Sequence, residues 1–200
     1  MQKDRGLSVI VKPDTITWED ISQVLRRAHQ KNIEEGITMH NPFLPPDKIK
    51  EKIDKMGGVM FVALQEGKLV GTGAVAIREK KWWCSKGQIG YICFGSILPE
   101  FRNKGIYKAL ALAREDYILS KGVYKVYFDT HENNKKMIDM SKKRGYELFT
   151  YAIRSDHNSV LLIKWLKKRP YSHLLCFLCF LSIKYYAKTR KMIESLLFNN

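Results

Sequence analysis

Two rhythms of apolar and polar positions divide this chain. Short apolar or alternating runs mark seven strands: Leu7 to Lys12, Val59 to Leu64, Leu69 to Ile77, Ile89 to Leu98, Val123 to Asp129, Leu148 to Ile153 and Val160 to Leu166. Between them, apolar residues recur at helical spacing. Ile21, Val24, Leu25, Ala28 and Ile33 make one stripe, which Thr17 and Asp20 open as a capping box and Gly36 ends. Asp47 starts a second helix with Ile49 and Ile53 inward and Gly57-Gly58 as its stop. Ile106, Ala109, Leu110, Ala113 and Tyr117 predict a third, up to Lys121-Gly122, and Met137, Ile138 and Met140 lie on a fourth. Gln65-Glu66-Gly67-Lys68 reads as a hairpin turn, and Ser155 to Ser159 as the turn between the last two strands. The order β-α-α-β-β-β-α-β-α-β-β by itself supports a mixed α/β domain.

The join between the fourth strand and the third helix has its own chemistry. It reads Leu98-Pro99-Glu100-Phe101-Arg102-Asn103-Lys104-Gly105-Ile106-Tyr107. The first N–H groups of a helix lack intrahelical partners and sit at the positive end of its dipole, so such a join can hold an anion. Gly105 permits close backbone approach, and Arg102 and Lys104 add charge. The plain alternative is a basic turn that binds nothing.

Arg102-x-x-Gly105-x-Tyr107 resembles the Arg/Gln-x-x-Gly-x-Gly/Ala pattern of the GNAT superfamily of N-acetyltransferases. A second match follows in the right order, where Asn133-Asn134 and then Arg144-Gly145-Tyr146-Glu147 resemble that family's Asn, helix, Gly-Phe/Tyr pattern. With the strands, the resemblance covers roughly residues 8 to 166. It implies a single α/β domain over residues 1–166. Its sheet is mixed and mostly antiparallel, its fourth and fifth strands splay apart, and helices flank it. The resemblance also implies acetyl-coenzyme A as co-substrate, with its pantetheine arm between the splayed strands. Gly95 would supply the bulge, Ile97 and Leu98 the backbone partners of the arm. Arg102, Asn103, Lys104, Gly105, Ile106 and Tyr107 would hold the pyrophosphate, and Asn134 would face the coenzyme.

Two positions depart from the family. Tyr107 stands where Gly or Ala is usual; its side chain is expected to point outward from the first helical turn. Ser141 stands where many relatives carry the tyrosine that protonates the departing thiolate. His131 and Glu132, at the end of the fifth strand, have chemistry suited to proton transfer, and His40, in the proline-rich loop Met39 to Pro46, is a further candidate base. The fourth strand offers Tyr91 and Cys93 but no carboxylate. Cys93 is read as a core thiol, because direct attack of an amine on the thioester needs no acyl-cysteine.

Charge and cysteine content narrow the class further. The formal charge is +15, with pI ≈ 9.6. From Lys167 onward there are seven Lys/Arg against one Glu, a local +6 that leaves +9 for the rest. Such a balance favours anionic partners, but no nucleic-acid motif accompanies it. Cys176 and Cys179 have C-x-x-C spacing without a second ligand pair, so no metal is expected, and the free thiols fit a cytoplasmic setting. Residues 167–200 form a basic extension around the apolar run Leu174 to Ile183, too short to span a bilayer. Residues 171–198 suit a helix at an anionic membrane surface, or equally one packed on the sheet or forming a homodimer contact. The reading is an acyl-coenzyme A-dependent N-acyltransferase moving acetyl to a small-molecule or peptide amine. The rival is a catalytically degenerate coenzyme-binding or scaffold protein of the same fold.

Overall fold

The computed structural model describes residues 6–35, 37, 43–82, 85–153 and 158–167. Seven strands form one sheet in the order β1-β2-β3-β4-β5-β7-β6. They are β1 (Leu7–Val11), β2 (Val59–Gln65), β3 (Lys68–Trp82), β4 (Ser85–Ile97), β5 (Lys125–His131), β6 (Glu147–Ile153) and β7 (Asn158–Trp165). Every neighbouring pair is antiparallel except β4–β5. The β3–β4 hairpin runs further than the apolar pattern predicts, with Trp82 paired to Ser85, because backbone pairing continues along polar residues beyond the core. At the β2–β3 turn Glu66 and Gly67 both take positive φ, 51° and 76°, the conformation a two-residue hairpin needs.

Helices cover both faces. On one, α1 (Trp18–Glu34) and α2 (Pro46–Lys55) bury Ile21, Leu25, Ile49 and Ile53 against Met60, Val62, Ala74 and Phe94. The predicted capping box is present: Asp20 accepts from the Thr17 amide at 2.7 Å, and the Asp20 amide donates to Thr17 Oγ1 at 3.1 Å. On the other face lie α3 (Ile106–Ser120) and α4 (Lys135–Lys143), over a core of Val70, Val75, Ile92, Val126 and Leu162.

The buried face of α3 is rotated from the predicted one. Ile106, Leu110, Ala111, Arg114, Glu115 and Ile118 turn inward, while Ala109, Ala113 and Tyr117 lie at its margin. Glu115 explains part of this. Its carboxylate accepts from Lys164 Nζ at 2.8 Å, Arg144 Nη2 at 3.2 Å and the Tyr146 hydroxyl at 3.2 Å, tying α3 to the α4–β6 turn and to β7. The 39–42 part of the proline-rich loop, with His40, the 155–157 part of the last turn, Cys84 and the 168–200 extension lie outside the described residues.

Candidate functional site

The turn before α3 is built to leave amides open. A 3₁₀ turn over Pro99–Phe101 ends β4, and its amides are used internally: Phe101 N donates to Leu98 O and Arg102 N to Pro99 O. Asn103 and Gly105 then take left-handed φ of 65° and 77°, which curls successive amides toward one side. Gly105 is the N-cap of α3 and supplies no side-chain cap. The first amides of α3, at Ile106, Tyr107 and Lys108, therefore have no intrahelical acceptor and no capping side chain. The turn is thus a cradle of open backbone amides, with the geometry an anion needs.

Arg102 does not add its side chain to that cradle. Its guanidinium reaches back to the carbonyls of Ala28 in α1 and Ile97 in β4, pinning α1 to the end of the strand. Lys104 is exposed, with its ammonium 4.9 Å from the Phe101 ring centre.

Beside the cradle the sheet opens. Parallel pairing of β4 with β5 is confined to Gly90↔Val126 and Tyr91↔Tyr127, beyond which each strand continues without the other. A bulge helps: Thr72 pairs with Ser96 but Ala74 with Cys93, so Gly73 faces two residues, Phe94 and Gly95. The left-handed residue of the bulge is Phe94, φ 52°, rather than Gly95. Gly95 serves a different need, since a Cβ there would stand 3.4 Å from Arg114 Nη1. Leu98 N–H donates to Val70 O in β3, and strand groups alternate between edges, so Ile97 N–H points toward the opening.

The gap holds a cavity of about 90 Å³ that joins the two faces of the sheet. Its α3–α4 side is lined by Tyr107, Arg114, Asn134, Met137 and Tyr146, its α1 side by His29, Tyr91, Cys93 and Asp129. Asn134 caps α4, accepting from Met137 N at 3.3 Å, and donates to Thr130 Oγ1 at 3.1 Å. Tyr107 does not point outward as expected. Its ring turns into the cavity, where the hydroxyl meets Met137 Sδ at 3.6 Å; the groove between α3 and α4 shelters an aromatic ring that solvent would not.

The α1 side gathers proton-handling groups. The Tyr91 hydroxyl donates to Asp129 Oδ1 at 3.0 Å, and burial, then the Asp129 charge, push its pKa up, so it stays protonated. His29 Nε2 lies 2.9 Å from Ser96 Oγ, and Asn32 Nδ2 is 3.3 Å from Nδ1. An amide donor at Nδ1 assigns the imidazole proton to Nε2, from which it is donated to Ser96. Burial, with the Arg102 charge second, lowers the His29 pKa to about 4, so the ring is neutral at pH 7. Burial pushes the Cys93 thiol up to about 12; it is a protonated core thiol rather than a poised nucleophile.

Of the sequence-predicted acid–base residues, His131 and Glu132 lie at the end of β5, and His40 is outside the described residues. His131 is buried at the end of β5, its Nδ1 accepting from Asn133 N at 3.1 Å, and Glu132 accepts from Asn158 Nδ2 at 2.9 Å. Neither lines the cavity. His29, Asp129 and Arg114 do, and the sequence reading passed over all three. Asp129 had a findable signal, a carboxylate one strand across from Tyr91. Among the described residues no group of three or more His, Cys, Asp or Glu side chains is placed to hold a metal ion.

Residues 18–146 match the family model "Acetyltransferase (GNAT) family". A protein of Escherichia coli K12 described as the uncharacterized N-acetyltransferase YjgM is 25% identical over 142 residues, covering 69% of this chain and 83% of that protein. The fold superimposes on a GNAT-family acetyltransferase from Streptococcus agalactiae with a TM-score of 0.66 at 16% identity, over 82% of this chain and 98% of the other. It also matches YncA of Salmonella typhimurium, solved with its cofactor acetyl-CoA, with a TM-score of 0.60 at 10% identity, over 83% and 97% of the two chains.

Proposed function

This chain belongs to the acetyltransferase (GNAT) family, as an acetyl-coenzyme A-dependent N-acetyltransferase, and from that premise we propose how its residues divide the work. The pyrophosphate sits on the cradle of Asn103, Lys104, Gly105, Ile106 and Tyr107, held by backbone amides at the positive end of α3. Arg102 acts by holding the cradle against α1 and not by touching phosphate. The pantetheine arm enters the gap beside Ile97, whose N–H faces it, and Leu98 carries the strand past the opening. Asn134 shapes the far wall by starting α4.

The acceptor amine comes from the α1 side. There the Asp129 carboxylate, oriented by the Tyr91 hydroxyl, faces the neutral amine and takes the proton its nitrogen sheds as the amide forms. Neutral His29 with Ser96 offers the adjoining polar wall. A small-molecule or peptide amine fits this description. One observation carries the assignment: the Tyr91–Asp129 pair and Tyr107, from the first turn of α3, line one cavity.

Thiol release from acetyl-coenzyme A with a panel of amines tests it. Asp129→Asn is expected to lower kcat/KM by roughly 100-fold or more, the scale of a lost general base. The coenzyme dissociation constant is expected to stay put in calorimetric titration. Unchanged turnover in this variant removes Asp129 from the reaction.

A further inference from the structure

Arg114 is the one charged group in the cavity that the foregoing leaves without a task. It projects from the middle of α3 and is 2% exposed. Its only hydrogen bond among the described residues is from Nε to the Leu110 carbonyl, 3.1 Å away and one turn back. Among the described residues Nη1 is buried with no hydrogen-bond partner, and none of the ion pairs found there includes Arg114. Glu115, the nearest carboxylate in sequence, is already held by Lys164, Arg144 and Tyr146.

Room for this guanidinium is made on purpose by glycine. A Cβ on Gly73 would lie 2.9 Å from Nη1 and 3.0 Å from Cζ, and one on Gly95 would lie 3.4 Å from Nη1. The planar group thus lies flat under the β3–β4 bulge, on the cavity wall. Leaving a buried cation unpaired is costly, and its retention calls for an anion that arrives later.

The position says which anion. Arg114 follows Ile106 by eight residues, so it lies about 12 Å down the helix from the phosphate cradle, at 1.5 Å per residue. Resting on the coenzyme placement proposed above, that is the thioester end of the arm, not its phosphate end. A permanent acidic group is not required there, because the reaction makes a negative charge of its own. The amine nitrogen forms a bond to the carbonyl carbon while the carbonyl pair moves to oxygen. That pair returns as the carbon–sulfur bond breaks and leaves its electrons on sulfur. The nitrogen gives up its extra proton to Asp129, and the thiolate takes one from water.

We propose that Arg114 is a further catalytic residue, whose buried and unpaired guanidinium is the counter-charge for the coenzyme thiolate as it departs. A fixed charge in a site shielded from water acts without reorganising at the moment of reaction, and loss of one such group costs roughly 100- to 1000-fold in kcat. Tyr107 and Tyr146, which line the same side, keep water from the group.

The test uses the full chain with hydroxylamine as acceptor and two acetyl thioesters, one of coenzyme A and one of an aromatic thiol of low pKa. Wild-type binding of coenzyme and turnover of both donors check the reading on which the proposal rests; their failure sinks that reading and not Arg114 alone. Given turnover, Arg114→Met is expected to lower kcat for acetyl-coenzyme A by about 100-fold. The loss should be much smaller for the aromatic thioester, whose thiolate needs less help. Coenzyme affinity should change little, and Arg114→Lys should recover part of the rate. Equal losses for the two donors, or a full kcat at saturating coenzyme, overturn the proposal. If Arg114→Met does not fold, the same donor comparison in Arg114→Lys decides: a loss confined to the alkyl thioester supports it, and equal loss overturns it.

Discussion

His29 shows how burial converts an ordinary side chain into a pH-dependent one. In the unfolded chain it takes a proton near 6.5, whereas in the fold desolvation, then the charge of Arg102, delays this to about 4. Between those values the unfolded state binds a proton that the folded state refuses, so stability falls as pH drops through 6.5 toward 4 and is complete above 6.5. At about pH 5 the shift amounts to roughly 2 kcal/mol. Urea unfolding of wild type and His29→Gln at about pH 7.5 and about pH 5 measures it. The wild type should lose this increment on acidification, and the variant should lose correspondingly less. Equal losses in the two proteins would mean that His29 already titrates normally in the fold.

At the scale of elements, the α3–β4 contact sets how the sheet opens. Gly90 is one of two β4 residues paired to β5, and Ile118 packs directly over it. A Cβ at 90 would lie 2.4 Å from Ile118 Cδ1 and 2.7 Å from Cγ1, and Ile118 is fully buried. Gly90→Ala is expected to cost about 1–3 kcal/mol as overpacking. Adding Ile118→Val, which removes the closest atom, should return part of it, a coupling that denaturant titration of the double mutant reads directly. This contact was hidden in the sequence for a general reason. Periodicity located each α-helix and strand among the described residues, because core-facing positions repeat, and the Arg102-to-Tyr107 motif pointed to the turn before α3, because it is local in the chain. The cavity's chemistry is not local. His29, Tyr91, Arg114 and Asp129 come from α1, β4, α3 and β5, and only the splay of two strands brings them together. Arg114 and Glu115 were also disguised by charge, which reads as a solvent face until partners or an empty cavity account for its burial. Tyr107 was misjudged likewise, since the direction of one ring depends on α4, thirty residues on.

For the whole molecule, the cradle and the +15 charge should act together on an anionic coenzyme. On the placement proposed above, acetyl-coenzyme A binds only the assembled α3 terminus and gap, so it should stabilise the fold by mass action. At about 100 times its dissociation constant the gain is ~2.7 kcal/mol, or roughly 5–11 °C in Tm for a chain of this size. Gly105→Glu should abolish the shift, because it sets a carboxylate against the phosphates at a left-handed position that resists a side chain. Arg102→Ala should weaken the shift only through loss of its tie to α1. The described fold closes where Leu166 N donates to Tyr124 O at 2.8 Å and Lys167 Nζ stands 5.0 Å from the Tyr124 ring. Truncation after Lys167 removes six Lys/Arg and one Glu and leaves a net charge of +10. Short-range amide contacts should survive that change while long-range attraction weakens. The truncated chain should therefore keep its Tm shift at saturating coenzyme, with a dissociation constant that is somewhat weaker at low salt and converges with the full chain's at high salt. Scanning calorimetry with and without acetyl-coenzyme A, at two ionic strengths, checks both parts. Loss of the shift at every coenzyme concentration would place part of the coenzyme site in the residues removed.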